Sequence, residues 1–131
     1  MLRVASSLPA ELESLIERVI GCCIQVHRRL GPGLLETIYT RAVGIELKRE
    51  AIEHERERQV AVFYRDEFVC HQRVDIVVAN QLVLEIKSVE RLTAVNDAQI
   101  LNYMRLLKVR AGLLMNFNVA VLKDGLKRKV L

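Results

Sequence analysis

Aromatic residues are scarce in this 131-residue sequence, which has no tryptophan, three tyrosines and three phenylalanines. A platform for stacking nucleic-acid bases needs several exposed rings, so none is indicated. Cysteine is also scarce: Cys22 and Cys23 are adjacent and Cys70 is alone. This number and spacing exclude an even disulfide set and a Cys-x-x-Cys metal pair, and they fit a reducing compartment.

Long apolar runs are absent too. No run approaches the roughly 18 to 20 residues that span a bilayer, and segment 1–17 lacks the apolar core of a signal peptide. We therefore predict a cytoplasmic protein that does not enter a membrane. The composition, 51% hydrophobic and 27% charged, is that of a globular protein, and 131 residues can bury one core. We predict a single domain, 1–131, whose net charge of +4 permits a nucleic-acid partner without requiring one.

The pattern of apolar residues predicts both helices and strands. Helical spacing predicts helices over 8–30, 34–50 and 94–108, with Gly31-Pro32-Gly33 breaking the first two apart. Extended segments are predicted at 59–64, 68–79, 81–88, 111–116, 118–122 and 127–131. The order (N-terminal helices 8–50, a hairpin 68–88, a helix 94–108, C-terminal strands 111–131) predicts an α/β fold. Its mixed central sheet is flanked by helices.

The hairpin within residues 73–87 has charged residues where a core is expected. A three-residue loop centred on Asn80 would pair residues whose numbers sum to 160, since Asn tolerates the left-handed conformation. Val78 then faces Leu82 and Val77 faces Val83. The same register pairs Asp75 with Glu85 and Arg73 with Lys87. Strand alternation further predicts that Val74, Ile76 and Val78 share one face.

Two opposed carboxylates on a half-buried surface repel each other. A positive group between Asp75 and Glu85 would remove the repulsion, and the candidates are Lys87 and a divalent cation. A plainer interpretation is also open, in which Glu85 and Lys87 form a solvated surface pair contributing under about 1 kcal/mol.

Three further groups of residues are candidates for a site. Glu36 and Tyr39 are neighbours on the second helix, although a carboxylate in a first helical turn is also favoured by the helix dipole. Gln99 and Tyr103 share a face of the third helix, where both can equally be boundary residues. His27, near the end of the first helix, is either a structural hydrogen bonder or part of the site.

Together these motifs resemble a known family pattern. Asp75, Glu85-x-Lys87 and Gln99-x-x-x-Tyr103 look like the core of the PD-(D/E)XK nuclease superfamily, in its RecB-type form with a QxxxY helix. Gly33-x-x-Glu36-x-x-Tyr39 closely resembles the GxxExxY family, a small bacterial and archaeal branch of that superfamily. The likeness runs from about Ile16 to the C-terminus. In one departure, Val74 stands where the motif has proline, a residue that does not contact the metal.

The resemblance implies a restriction-endonuclease-like α/β/α core and a metal-dependent nuclease. Asp75, Glu85 and the backbone carbonyl of Ile86 would hold Mg²⁺ or Mn²⁺, with Glu36 binding directly or through water. Lys87 would orient or help deprotonate the attacking water and stabilise the charge on the phosphate. Gln99 would position Lys87 or the phosphate, and Tyr103 would support the same edge, with His27 and Tyr39 as possible further support.

The substrate implied is nucleic acid, with DNA favoured over RNA, and the modest net charge favours a homodimer or a protein partner that completes the binding groove. Two other interpretations stay open. In the first, the chain is an accessory or binding subunit that retains the nuclease fold without turnover. In the second, it is an α/β domain whose charges are incidental.

Overall fold

A computed structural model describes residues 7–131, so the first six residues of the predicted domain 1–131 lie outside the described residues. These described residues contain three α-helices: α1 (Ala10–Leu30), α2 (Glu36–Arg49) and α3 (Ala94–Leu107). The break between α1 and α2 contains two glycines with positive φ, Gly31 at 69° and Gly33 at 97°. Glycine occupies this conformation without steric cost, which explains the separation of the two helices.

Within residues 7–131, five strands form one mixed sheet in the order β1-β2-β3-β4-β5. They are β1 (His54–Tyr64), β2 (Glu67–Val78), β3 (Leu82–Lys87), β4 (Ala111–Asn116) and β5 (Leu126–Val130). Strands β3 and β4 pair in parallel, with α3 as their crossover, and the other neighbours are antiparallel.

Each face of the sheet has its own hydrophobic core. On one face, α1 and α2 pack against a large cluster that includes Ile76, Leu84 and Leu113. On the other face, α3 packs through Ile100, Tyr103 and Met104 against a smaller cluster. The predicted α/β fold, a mixed sheet between helices, is confirmed. No helix among residues 7–131 is long and apolar enough to cross a membrane.

Two predicted elements differ from the structure by more than two residues. Strand β1 begins at His54 instead of residue 59, because its charged first half is an exposed edge strand with no apolar alternation to reveal it. The predicted extended segment 118–122 is wrong: no strand forms there, and a 3-10 helix spans Leu122–Gly125. Gly125 is required in this helix, since a Cβ there would lie 2.3 Å from the backbone oxygen of Asn116.

Candidate active site

The hairpin of β2 and β3 has the predicted register up to the point where the carboxylates begin. Val78 pairs with Leu82, Val77 with Val83, and Ile76 with Leu84, where the backbone ladder ends. Beyond it, the backbone N–H of Ile86 donates to Asp75 Oδ2 at 2.8 Å. The N–H of Asp75 donates to Glu85 Oε1 at 3.2 Å. The two carboxylates therefore replace the backbone carbonyls as hydrogen-bond acceptors across the strands.

The pairing of β2 with β1 also omits Asp75. It passes from Arg56–Ile76 to Arg58–Val74, and Glu57, which lies between these pairs, has a positive φ of 56°. The predicted alternation is wrong at Val74, which packs on the α3 face while Ile76 and Val78 pack on the α1/α2 face.

The predicted pairing of Arg73 with Lys87 is also wrong. Arg73 pairs with Gln59 of β1 and lies 3.7 Å from Glu57 in an exposed ion pair. The backbone ladder to β3 has already ended at this point, because the carboxylates have taken over the cross-strand hydrogen bonds.

Burial makes the two carboxylates resist ionisation. Glu85 is only 3% exposed, and burial followed by the nearby charge of Asp75 raises its pKa to about 8. The pKa of Asp75 is also raised, by burial first, against the lowering effects of the Ile86 hydrogen bond and Lys87. The plainer interpretation, a solvated Glu85–Lys87 surface pair, does not hold for so buried a carboxylate.

Lys87 is the last residue of β3 and lies beside the carboxylate pair. Its Nζ is 3.9 Å from Glu85 Oε2, and its side chain is 15% exposed, so it is partly shielded but reaches the surface. Its charge lowers the pKa of both carboxyl groups without outweighing burial. The ammonium is thus available to a ligand entering from solvent as well as to Glu85.

The donor set fits a hard divalent cation. Asp75 and Glu85 bring two carboxyl groups together beside a single lysine, so a divalent cation would compensate the second negative charge once both groups ionise. Carboxylate oxygens are also the ligands that Mg²⁺ and Mn²⁺ prefer. Glu36 raises the pKa of Asp75 and of Glu85 through its charge. However, no group of three His, Cys, Asp or Glu side chains within residues 7–131 converges as a metal site, so Glu36 stands apart from the pair.

Gln99 and Tyr103 are joined by a hydrogen bond, as their spacing on one helix face allows. Gln99 Nε2 donates to the Tyr103 hydroxyl at 3.1 Å, and this hydroxyl donates to Gln72 Oε1 at 3.2 Å. Burial and the charge of Glu85 raise the pKa of Tyr103, which places its hydroxyl within the field of the carboxylate pair. Gln72 was missed by sequence reasoning because this contact spans 31 residues and no local pattern marks it.

Tyr39 holds the segment that leads to Glu36, and His27 holds the segment that follows β4. The buried Tyr39 hydroxyl donates to the Gly31 carbonyl at 2.5 Å and accepts from the Leu34 N–H at 3.1 Å. Its ring stacks on Phe117 at 4.7 Å. His27 Nε2 lies 2.8 Å from the Val119 carbonyl and its ring contacts Phe117. Both residues are therefore bonded to backbone, and neither lines the carboxylate pair.

Two further polar residues fix the chain after Lys87. Ser88 Oγ donates to the Leu34 carbonyl at 2.6 Å, tying this edge to the start of α2. The buried Asn116 side chain accepts from the Val89 N–H at 3.1 Å and donates to the Val89 carbonyl at 2.8 Å. Asn116 is opposite Lys87 in the parallel β3–β4 register, so aligning these two strands in the sequence would have indicated it.

Fold and site together define an α/β domain whose polar centre, two carboxylates and a lysine, lies at the end of a central hairpin. Residues 13–129 match the family model of the PD-(D/E)XK nuclease superfamily, so the chain belongs to that superfamily. No curated protein and no solved structure matches the chain.

Proposed function

We propose that this protein is a Mg²⁺- or Mn²⁺-dependent nuclease that hydrolyses phosphodiester bonds, in DNA rather than RNA. The observation that carries the proposal is the carboxylate pair of half-buried Asp75 and buried Glu85, each accepting a backbone N–H from the opposite strand beside Lys87. This arrangement costs folding free energy at neutral pH, because burial disfavours the ionised carboxylates that prevail in the unfolded chain. Such a cost is typical of functional sites.

Each residue has a role that follows from its position. Asp75, Glu85 and the Ile86 carbonyl would hold the cation, with Glu36 reaching it through water. When bound, the ion supplies Lewis-acid stabilisation of phosphate charge and lowers the pKa of a water. Lys87 donates to the phosphate oxygens and orients the attacking water. Gln99 positions the phosphate or Lys87, and Tyr103 holds the Gln99 amide.

We further propose a family branch, a cellular location and a kind of partner for this chain. We place the chain in the GxxExxY branch, because Gly33, Glu36 and Tyr39 stand at the motif's spacing and Tyr39 bonds the loop that precedes Glu36. We propose a cytoplasmic prokaryotic protein that acts on nucleic acid as a homodimer or with a protein partner. The net charge of +4 on a small domain supports the need for a second groove-forming chain.

Cleavage of labelled DNA and RNA, single- and double-stranded, tests the activity. With Mg²⁺ or Mn²⁺ we expect wild-type cleavage that falls at least about 100-fold in Lys87→Ala and in Asp75→Asn. The matched controls are Lys123→Ala and Asp66→Asn, at exposed residues that make no contact with the carboxylate pair among residues 7–131, and these variants should retain full activity. Cleavage retained by Lys87→Ala would refute the assigned role.

Calorimetric titration with Mn²⁺ tests the metal site separately. Wild type should bind and Glu85→Ala should not, while Asp66→Asn binds as wild type does. Binding that survives Glu85→Ala would exclude this ligand set. Metal binding without cleavage of any substrate would favour the second function, an accessory subunit that retains the fold and the ion.

A further inference from the structure

A groove of about 830 Å³ runs beside Lys87 between α3 and the β1–β2 hairpin. One helical stripe of α3 forms one wall: Val95, Gln99, Asn102 and Leu106 recur at spacings of four, three and four residues. Val62 of β1 and Gln72 of β2 form the opposite wall, in the part of the β1–β2 hairpin that extends beyond the end of β3. The volume is within the range of sites that hold small organic ligands.

Hydrogen-bonding capacity in the groove is partly used and partly free. Gln72 uses its Oε1 to accept from Tyr103, Asn96 uses its Oδ1 to accept from the Thr93 N–H, and Asn102 uses its Oδ1 to accept from Arg105. Within residues 7–131 the amide NH₂ groups of these three side chains make no hydrogen bond. Gln99 is the reverse case, because its NH₂ donates to Tyr103 and its oxygen has no such partner in that part of the chain.

The remaining lining is apolar and carries little charge. Val62, Val95 and Leu106 face the groove, and Val95 is 75% exposed. Besides Lys87, the one cation in the lining is Arg105, whose guanidinium is bonded to Asn102. A groove that follows a phosphate backbone needs several cations, whereas aliphatic walls with free amide groups match the flat face and polar edge of a base.

We infer that this groove binds a nucleobase of the strand being cut, and that the strand is therefore single-stranded or locally unpaired at that position. The identity of the strand as substrate rests on the proposed function. A base paired inside a duplex has its edge already occupied and its faces covered by neighbours, so it cannot enter between the two walls. The free NH₂ groups of Gln72, Asn96 and Asn102 would donate to base oxygens and ring nitrogens, and Gln99 would accept from a base amino group.

Fluorescence anisotropy with labelled oligothymidylate tests this inference, run in Ca²⁺ and again in EDTA. The comparison probe is the same oligonucleotide with abasic sites, which keeps every phosphate and removes the bases. We expect wild type to bind the intact probe about tenfold more tightly than the abasic one, the worth of one good base contact. The groove variant N102A/L106A should lose that preference. The matched control Q81A/V121A, also an exposed amide and an exposed aliphatic residue, should keep it.

Several results would overturn the inference. Equal binding of intact and abasic probes would assign the groove to phosphates, and tighter binding of duplex than of single strand would exclude an unpaired base. If the protein bound no oligonucleotide at all, a nucleobase would also be excluded as the occupant of the groove. A dimer that dissociates in N102A/L106A would then assign the groove to a second copy of the chain.

Cleavage in Mn²⁺ separates this inference from the proposed function. Equal cleavage of the intact and the abasic oligonucleotide would refute the groove inference alone. Tighter binding of the intact oligonucleotide without any cleavage would instead refute the nuclease assignment alone.

Discussion

The two faces of the central sheet differ in how they use their polar groups. On the α1/α2 face, the buried polar side chains are bonded to backbone: His27 meets the Val119 carbonyl, and the Tyr39 hydroxyl both donates and accepts. On the α3 side, Glu85 is buried with a raised pKa, and the exposed Gln72 lines a groove with its amide NH₂ open to solvent. Buried groups with full hydrogen bonding stabilise the fold, whereas a buried acid that resists ionisation indicates the site.

The same contrast separates two residues of the same type. Tyr39 and Tyr103 are both buried and both lie on helices. The sequence analysis also names both as candidate site residues. Tyr39 bonds two backbone groups of one loop, while Tyr103 bonds two amide side chains that line an open groove. Removing each hydroxyl should therefore affect different properties.

The largest expected effect on stability is that of Tyr39→Phe. Loss of the hydroxyl leaves the Leu34 N–H and the Gly31 carbonyl without their partner, so the free energy of unfolding should fall by about 2 kcal/mol. Urea denaturation measures it. The control Tyr64→Phe, at a ring that is 67% exposed, should change stability by less than about 0.5 kcal/mol. An unchanged Tyr39→Phe protein would mean that this face does not depend on its satisfied polar groups.

The next effect is a pH dependence that depends on Glu85. Its pKa rises from 4.5 to about 8 on folding, so the folded state holds a proton that the unfolded state releases. Between about pH 4.5 and 8 the metal-free protein should therefore lose stability as pH rises. We expect wild type in EDTA to lose at least about 1 kcal/mol more than Glu85→Gln over this window.

Urea denaturation at pH 5 and pH 8 measures the difference, and Mn²⁺ should abolish it because a cation stabilises the ionised pair. Asp66→Asn, at an exposed turn, is the control and should follow wild type. Parallel pH profiles for wild type and Glu85→Gln would show that the pair carries no ionisation cost.

The smallest effect on stability is expected for Tyr103→Phe. Gln72 and Gln99 both border the groove and can turn to water, so the free energy of unfolding should fall by less than about 1 kcal/mol. Cleavage should fall by up to about tenfold, in kcat more than in KM, since Gln99 loses the bond that orients its amide. A loss of stability as large as that of Tyr39→Phe would erase the contrast between the faces.

Much of the hairpin was predictable from its pattern. Alternating apolar residues around Asn80 fixed the pairs Val78–Leu82 and Val77–Val83, both of which are confirmed. Helical spacing likewise predicted α1, α2 and α3 to within two residues at each end. Segment 118–122 was not predictable, because its short apolar pattern fits an irregular segment as well as a strand. The chain then turns in the 3-10 helix Leu122–Gly125, where Gly125 lies against the backbone oxygen of Asn116.

The sequence by itself determined the order of the three helices and of the five strands that form the sheet, the hairpin register next to its turn and the residues that resemble the superfamily, because these depend on local spacing. Only the tertiary structure decided that Asp75 and Glu85 accept each other's strand N–H groups, that Gln72 bonds to Tyr103, and that Glu36 stands apart from the pair. Burial, pKa shifts and long-range hydrogen bonds arise where separate elements meet, and no periodicity along one segment encodes them.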